Sequence, residues 1–324
     1  MDSRYDIVVL GVTGFTGSYI VRAIAASPLF KGKSIAVAGR RETKVRASLR
    51  EIAEDIDVPA VSSYPIIIAD TSNEESLAAM ARQARVVINA VGPYRLHGEP
   101  VVRAAILNGA HHIDVAGEPA GGTVVDDSQK IIYLRRLLWK INEDLLKGWV
   151  LPFPGADKSI VQRSQYYDYQ VNGKKPFQIS TYFTFAAFFL ATWASAFSFL
   201  CKYEWSRKFL EAHPELCSFY MFNTDGPTKK QMQEASFEYY FFGRGWDEGQ
   251  ELDGKSPTKR AAAVCRGPDP GYIGTAACVA SAALTLLEDA DTLPKQGGVY
   301  TTASAFRDTR IFEYLESFGI TFEM

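Results

Sequence analysis

Ile7-Val8-Val9-Leu10-Gly11-Val12-Thr13-Gly14-Phe15-Thr16-Gly17-Ser18-Tyr19-Ile20 is the stretch on which the fold turns. Its first four residues are a short apolar run that stops at a glycine, and from Thr16 to Ala25 the residues Tyr19, Ile20, Ala23 and Ile24 recur at helical spacing. The order is therefore strand, glycine turn, helix. The glycines stand at G-x-x-G-x-x-G: Gly11 permits the tight turn, Gly14 the close approach of a ligand to the main chain, and Gly17 close helix-strand contact. A helix that starts from such a turn presents main-chain N–H groups to an anion, so Gly11, Thr13, Gly14, Phe15, Thr16 and Gly17 are candidate contacts for a dinucleotide diphosphate. A bare glycine pattern serves a packing turn equally well. Its place after the first strand and at the opening of the first helix favours the ligand.

Downstream the pattern repeats. Ser34 to Ala38, Pro65 to Ala69, Arg85 to Val91 and Ile113 to Val115 read as further strands, with helices at Thr43 to Ile56, Glu74 to Gln83 and Pro100 to Asn108. In the last of these Pro100 is expected in the first turn and Gly109 just past the end. Apolar strands alternating with helices predict an α/β fold: a Rossmann-type doubly wound parallel sheet over residues 1–120, a shortened helical connection over 121–150, and a second α+β domain over 151–324.

The end of the second strand selects the cofactor. Gly39-Arg40-Arg41 offers guanidinium where an acidic residue would accept from the 2′-hydroxyl of NAD, so Arg40 and Arg41 point to the 2′-phosphate of NADP(H), with NAD(H) as the alternative. The same two arginines also suit a solvated helix start. Asp70, ending the third strand, is placed to meet the adenine amino group or to cap a helix at Asp70 or Thr71. The turn Asn89-Ala90-Val91-Gly92-Pro93-Tyr94 ends the fourth strand, so Asn89, Gly92 and Pro93 should border the nicotinamide ribose.

Composition narrows the remaining classes. The 324 residues suffice for two domains, and 47% hydrophobic with 22% charged residues is ordinary for a globular protein. A formal charge of −2 leaves no electrostatic footprint for nucleic acid. Four cysteines without a CxxC pair and four histidines give no metal-ligand spacing, and the N-terminus lacks the build of a signal peptide.

In the C-terminal half, no charge occurs from Pro176 to Cys201, and Lys174, Lys175, Lys202, Arg207 and Lys208 flank the run. That length suits a bilayer core, while cations on both sides suit an apolar segment lying in one leaflet or on a lipid-droplet monolayer. A buried helix plus strand is the alternative. Further on, Ser236 to Phe242 reads as a strand, Ala276 to Leu287 as a helix and Gly297 to Thr302 as a strand.

Several segments in order resemble the saccharopine dehydrogenase-like oxidoreductases: Gly11 to Gly17, Ala38 to Arg41, Val87 to Tyr94, Leu96 to Pro100, Ile113 to Pro119, then Leu151 to Asp157, Ser159 to Gln165, Gly226-Pro227, Gly267-Pro268, Pro270 to Tyr272 and Gly297 to Tyr300. The resemblance implies that Gly11, Gly14, Gly17, Arg40 and the Asn89 to Tyr94 turn carry the cofactor. It implies an oxidoreductase acting on a hydrophobic or lipid-linked substrate at a lipid droplet or the cytoplasmic face of a membrane, with mitochondrial association or a homodimer as further expectations. The family is also similar to a bacterial trans-acting enoyl reductase of glycolipid synthesis. One departure stands out: Gly121-Gly122-Thr123 leads directly to a helical stretch from Asp127 to Leu146, where the family continues through further sheet. A shortened chain of this kind allows a second outcome, a nucleotide-binding or lipid-droplet scaffold without catalysis.

Neither a Tyr-x-x-x-Lys pair nor a Gly-x-Ser-x-Gly elbow occurs in the sequence. Tyr94 and His97, expected near the nicotinamide edge, are the candidate proton donors.

Overall fold

The computed structural model describes residues 4–116, 139–153, 155–184, 196–217, 226–246 and 257–324. Five strands, β1 (Tyr5–Leu10), β2 (Ile35–Gly39), β3 (Ile66–Ile68), β4 (Ala84–Asn89) and β5 (His111–Asp114), form one sheet in the order β3-β2-β1-β4-β5. Every pair in it is parallel. The crossovers are α1 (Phe15–Ala26), α2 (Glu42–Asp55), α3 (Glu74–Arg82) and α4 (Tyr94–Leu107). This is the Rossmann-type α/β arrangement, and the chain reverses its direction of winding between β1 and β4, where a crevice opens beyond the carboxyl ends of the strands.

Alternation along β1 divides the core between the two faces of the sheet. Ile7 and Val9 pack with Ile20, Val21 and Ile24 of α1 and with Val45, Leu49 and Ile52 of α2. Val8 and Leu10 pack instead with Leu77 and Met80 of α3 and Val101 of α4. Both faces are thus covered, which explains why the strands read as unbroken apolar runs.

One helix boundary differs from expectation. α4 begins at Tyr94, so Pro100 lies inside the helix rather than in its first turn. The missing N–H at Pro100 costs one helical bond, whose would-be acceptor sits on Leu96, a residue 65% exposed and thus open to water. Gly109 follows the helix with φ +65°, as a left-handed stop requires.

Two compact units emerge from the packing: Met1–Pro119 with Gln170–Asn172 and Met232–Met324, and Ala120–Tyr169 with Gly173–Gln231. In the second unit, β6 (Trp139–Glu143), β7 (Leu146–Pro152) and β8 (Tyr182–Thr184) form an antiparallel sheet. The helix expected from Asp127 to Leu146 is therefore replaced over 139–146 by a hairpin, with Glu143 opposite Leu146 across the turn; its earlier part lies outside the described residues. The same stretch of chain also carries α5 (Asp157–Asn172), α6 (residues 196–200), α7 (Glu204–Ala212) and α8 (Pro214–Cys217). Of the apolar run 176–201, residues 185–195 lie outside the described residues. Among the described residues no helix is long and apolar enough to cross a membrane.

The remainder comprises α9 (Lys229–Glu234), β9 (Ser236–Gly245), β10 (Lys259–Pro268), α10 (Ile273–Glu288), α11 (Thr302–Ala305), α12 (Ile311–Ser317) and β11 (Thr321–Glu323). β9 and β11 flank β10 in a second antiparallel sheet. The division expected at residue 120 is redrawn here, because residues 232–324 join the nucleotide-fold unit instead of forming a domain with 151–231. The physical cause is α10. It is apolar on nearly every side, and Val279, Ala280, Ala283, Leu284 and Leu287 bury against α1 and the β4–β5 half of the sheet. Burying each of its large side chains contributes roughly 1.5–3 kcal/mol. The strand expected at Gly297 to Thr302 does not form either: Tyr300 folds back so that its hydroxyl donates to the Gln296 carbonyl at 2.6 Å, and Thr302 already begins α11.

Candidate functional site

Gly11 leaves β1 with φ +97°, a conformation that side chains resist, and a Cβ there would lie 2.9 Å from Val91 Cγ2 and 3.1 Å from the Ala90 main chain. The turns after β1 and β4 therefore touch. Gly17 is fixed by packing of a different kind: a Cβ would fall 2.2 Å from the Gly11 carbonyl oxygen, so the close contact is between the helix start and the turn itself. Gly14 is crowded by nothing nearer than 3.4 Å, and Thr13, Gly14 and Phe15 are exposed. Its glycine leaves the outer side of the turn bare.

Gly14 is the N-cap of α1 and makes no side-chain capping bond. Its own N–H is used, donating to the Gly11 carbonyl at 3.0 Å, and helical bonding resumes with Ser18 to Gly14. The amides of Phe15, Thr16 and Gly17 have no hydrogen-bond acceptor among the described residues. Three donors and the positive end of a helix dipole thus face the crevice, an arrangement that fits a diphosphate and could hold one.

Arg40 and Arg41 follow β2 and are exposed, with Arg41 as the N-cap of α2. Asp70, at the end of the β3 segment, accepts from Ser72 N at 3.0 Å and from Ser72 Oγ at 2.8 Å. Those two bonds, and after them the charge of Arg40, hold its carboxyl below the ordinary value. Asp70 therefore closes a local turn and does not cap α3. That role falls to Asn73, whose Oδ1 accepts from Ser76 N at 2.9 Å.

The turn after β4 holds Asn89, which is 1% exposed. Its Oδ1 accepts from Val91 N at 3.0 Å, while its Nδ2 has no partner among the described residues. Gly92 faces open space, and the Gly92–Pro93 peptide is cis. Of the two candidate proton donors, Tyr94 stays at the turn after β4 and His97 is carried away from it. The Tyr94 hydroxyl donates to the Asn89 carbonyl at 2.9 Å, which ties it to the main chain. His97 Nδ1 lies 3.4 Å from Thr71 Oγ1, so this side chain sits beside the loop after β3, at the end of the crevice where Arg40 and Asp70 are found. Sequence spacing placed it at the opposite end, because α4 was expected to begin after it and instead carries it toward β3.

Three residues that sequence reasoning passed over join the region. Register places Asp114, the last residue of β5, beside Asn89, and its Oδ1 accepts from Ala116 N at 3.0 Å. His112, two residues earlier and so on the same face, has Nδ1 3.8 Å from Asp114 Oδ2 and a buried Nε2 without a partner among the described residues. Burial pushes its imidazole pKa down against the pull of the carboxylate, which favours the neutral ring. The third is Tyr272, whose ring meets Phe15 at a centroid distance of 4.6 Å. Nothing local in the sequence signals that contact.

All four cysteines are free thiols, and no group of side chains suited to a metal ion occurs among the described residues.

Residues 7–145 match the family model described as the saccharopine dehydrogenase NADP binding domain. The chain is 40% identical to the lipid droplet localized protein of Caenorhabditis elegans, over 99% of this chain and 98% of that protein. It is 31% identical to the saccharopine dehydrogenase-like oxidoreductase of Homo sapiens, over 99% of this chain and 97% of that protein. A probable mitochondrial saccharopine dehydrogenase-like oxidoreductase of Arabidopsis thaliana is 27% identical over 99% and 96% of the two chains. The nematode alignment extends over 420 residues against the 324 of this chain, so part of that relative's sequence has no counterpart here. With an NADP-binding domain matched at its N-terminus and similarity to these relatives from end to end, the chain belongs to the saccharopine dehydrogenase-like oxidoreductase family.

Proposed function

We propose that this chain binds NADP(H) in preference to NAD(H) and serves as an oxidoreductase for a hydrophobic or lipid-linked substrate at a lipid droplet or membrane surface. The observation that carries the cofactor reading is the start of α1, where the Phe15, Thr16 and Gly17 amides stand without acceptors among the described residues, beside a bare Gly14. These amides take the diphosphate, Arg40 and Arg41 take the 2′-phosphate, and Asn89, Gly92 and Pro93 border the nicotinamide ribose. Bound NADPH supplies the hydride. The chain's part is to orient it and to keep the β4 turn closed, for which the Tyr94 bond to the Asn89 carbonyl is suited.

The lipid reading draws on the apolar run 176–201 with its flanking lysines and on the name of the nematode relative. The plant relative's name supports a mitochondrial location as an alternative. Titration of wild type and Arg40→Ala with NADPH and NADH tests the cofactor assignment. Loss of a charge-assisted contact should weaken NADPH roughly tenfold or more and leave NADH unchanged. Equal weakening of both would remove Arg40 from the site.

A second reading, a nucleotide-binding scaffold without turnover, is favoured by the sequence that the nematode relative has and this chain lacks, and by the engagement of Tyr94. We infer that the missing part follows Pro119, where the family's further sheet is expected. NADPH oxidation with a panel of lipid carbonyl and enoyl substrates separates the readings, since any turnover sinks the scaffold.

A further inference from the structure

The first turn of α1 is open on its outer side, at Gly14. Gly11 and Gly14 are conformationally permissive, and Gly14 offers no side chain to cap the helix. Phe15, the first helical residue, is 41% exposed, and its ring contacts among the described residues are with Tyr19 at 5.6 Å and Tyr272 at 4.6 Å between centroids. Tyr19 belongs to the same helix. Tyr272 is distant in sequence but lies in the same compact unit.

Tyr272 is itself held on several sides. Its N–H donates to Asp269 Oδ2 at 2.6 Å, and Ile273 N donates to the same oxygen at 3.1 Å. Asp269 is 7% exposed, and its carbonyl accepts from Gly274 N at 2.7 Å. A Cβ at Gly274 would lie 2.9 Å from that carbonyl, so the turn is tight enough to demand glycine. Beyond it α10 is locked into the core through Ala276, Val279, Ala280 and Ala283. A line of fixed parts runs from the core through Asp269 and Tyr272 to the ring of Phe15.

We propose that Tyr272 is a positioning residue of the dinucleotide site, holding Phe15, and with it the first amides of α1, in the orientation that meets the diphosphate. The inference rests on the reading that the glycine turn holds NADP(H). A restrained turn binds more tightly because less freedom is lost on association. Because the ring and not the hydroxyl makes the contact, phenylalanine should replace tyrosine without loss.

Calorimetric titration with NADPH and with adenosine 2′-monophosphate, which has a 2′-phosphate but no diphosphate, tests this. Tyr272→Ala should weaken NADPH roughly three- to tenfold, the range of an aromatic pair, while adenosine 2′-monophosphate binds as in wild type. Tyr272→Phe should restore wild-type NADPH affinity. If Tyr272→Ala lowers Tm strongly, Tyr272→Leu keeps the apolar bulk and carries the same comparison. Wild-type NADPH affinity in the alanine and leucine variants, or a proportional loss of both ligands, overturns the proposal. A wild-type chain that binds neither ligand refutes the cofactor reading itself, whereas NADPH binding lost in Gly17→Ala but intact in Tyr272→Ala refutes only the role of Tyr272.

Discussion

Gly17 shows how much a single hydrogen atom can decide. With the Gly11 carbonyl 2.2 Å from where a Cβ would stand, Gly17→Ala must push α1 away from the turn, displacing the amides of Phe15 and Thr16. We expect this variant to lose NADPH binding altogether and to melt earlier, as measured by titration and thermal unfolding. Gly14→Ala provides the contrast. A methyl there meets only the Gly11 oxygen at 3.4 Å, so the fold should persist with an unchanged Tm while the added group stands where a diphosphate would approach. Loss of affinity without loss of stability would separate the two glycines by role, and equal stability losses would refute the distinction. The glycine spacing and the tight turn it permits were legible from the residues alone, since the positive φ of Gly11 and its contact with Gly17 lie within one turn, whereas the contact of Gly11 with Val91 joins two turns.

At the scale of elements, local rules succeeded wherever neighbours in sequence satisfied one another. Asn73, immediately before the acidic pair Glu74 and Glu75, caps α3 through Ser76 N, and Asn73→Ala should cost about 1 kcal/mol of stability. They failed where pairing partners decide. Residues 139–146 have amphipathic character compatible with a helix, but β6 and β7 find each other as a hairpin, and β8 supplies the third strand. Residues 297–301 pair with no strand among the described residues and fold back locally. α10 was readable as a helix but not as part of the nucleotide fold, because its own apolarity does not name the surface that covers it. Leu284, 2% exposed among α1 and sheet residues, tests that surface. Leu284→Ala should destabilise by roughly 2–5 kcal/mol. If α10 belongs to the same cooperative unit, circular dichroism and NADPH-binding loss should report one common transition in this variant; two separated transitions would contradict the unit boundary.

Across the molecule, a charged contact ties the start of α12 to the end of α10. Asp289, at the end of α10, accepts from Arg310 N at 2.8 Å and from Arg310 Nε at 2.9 Å, with the Tyr314 hydroxyl 3.3 Å away. Burial alone would push this carboxyl up, but the bonds and charge of Arg310 outweigh it and hold the pKa below the ordinary value. Burial, together with the Asp289 charge, pushes Tyr314 up to about 12. Because the folded carboxyl has the lower pKa, its stabilising contribution is complete above the unfolded value of about 3.9 and fades as pH falls through the folded one. Asp289→Asn should therefore lower Tm at pH 7, with the difference from wild type narrowing below about pH 4. A difference constant from pH 7 to pH 3 would show that the charge of Asp289 is not what stabilises this junction.

The sequence by itself determined the parallel sheet, the glycine turn that starts α1 and the family resemblance, because each depends on residues close together or on a pattern repeated along the chain. Only the tertiary structure decided that α10 completes the nucleotide-binding unit, that His97 belongs beside Thr71, and that Tyr272 braces Phe15. Those contacts join residues far apart in sequence, and their free energy comes from apolar surface and hydrogen bonds that exist only once the intervening chain has folded back.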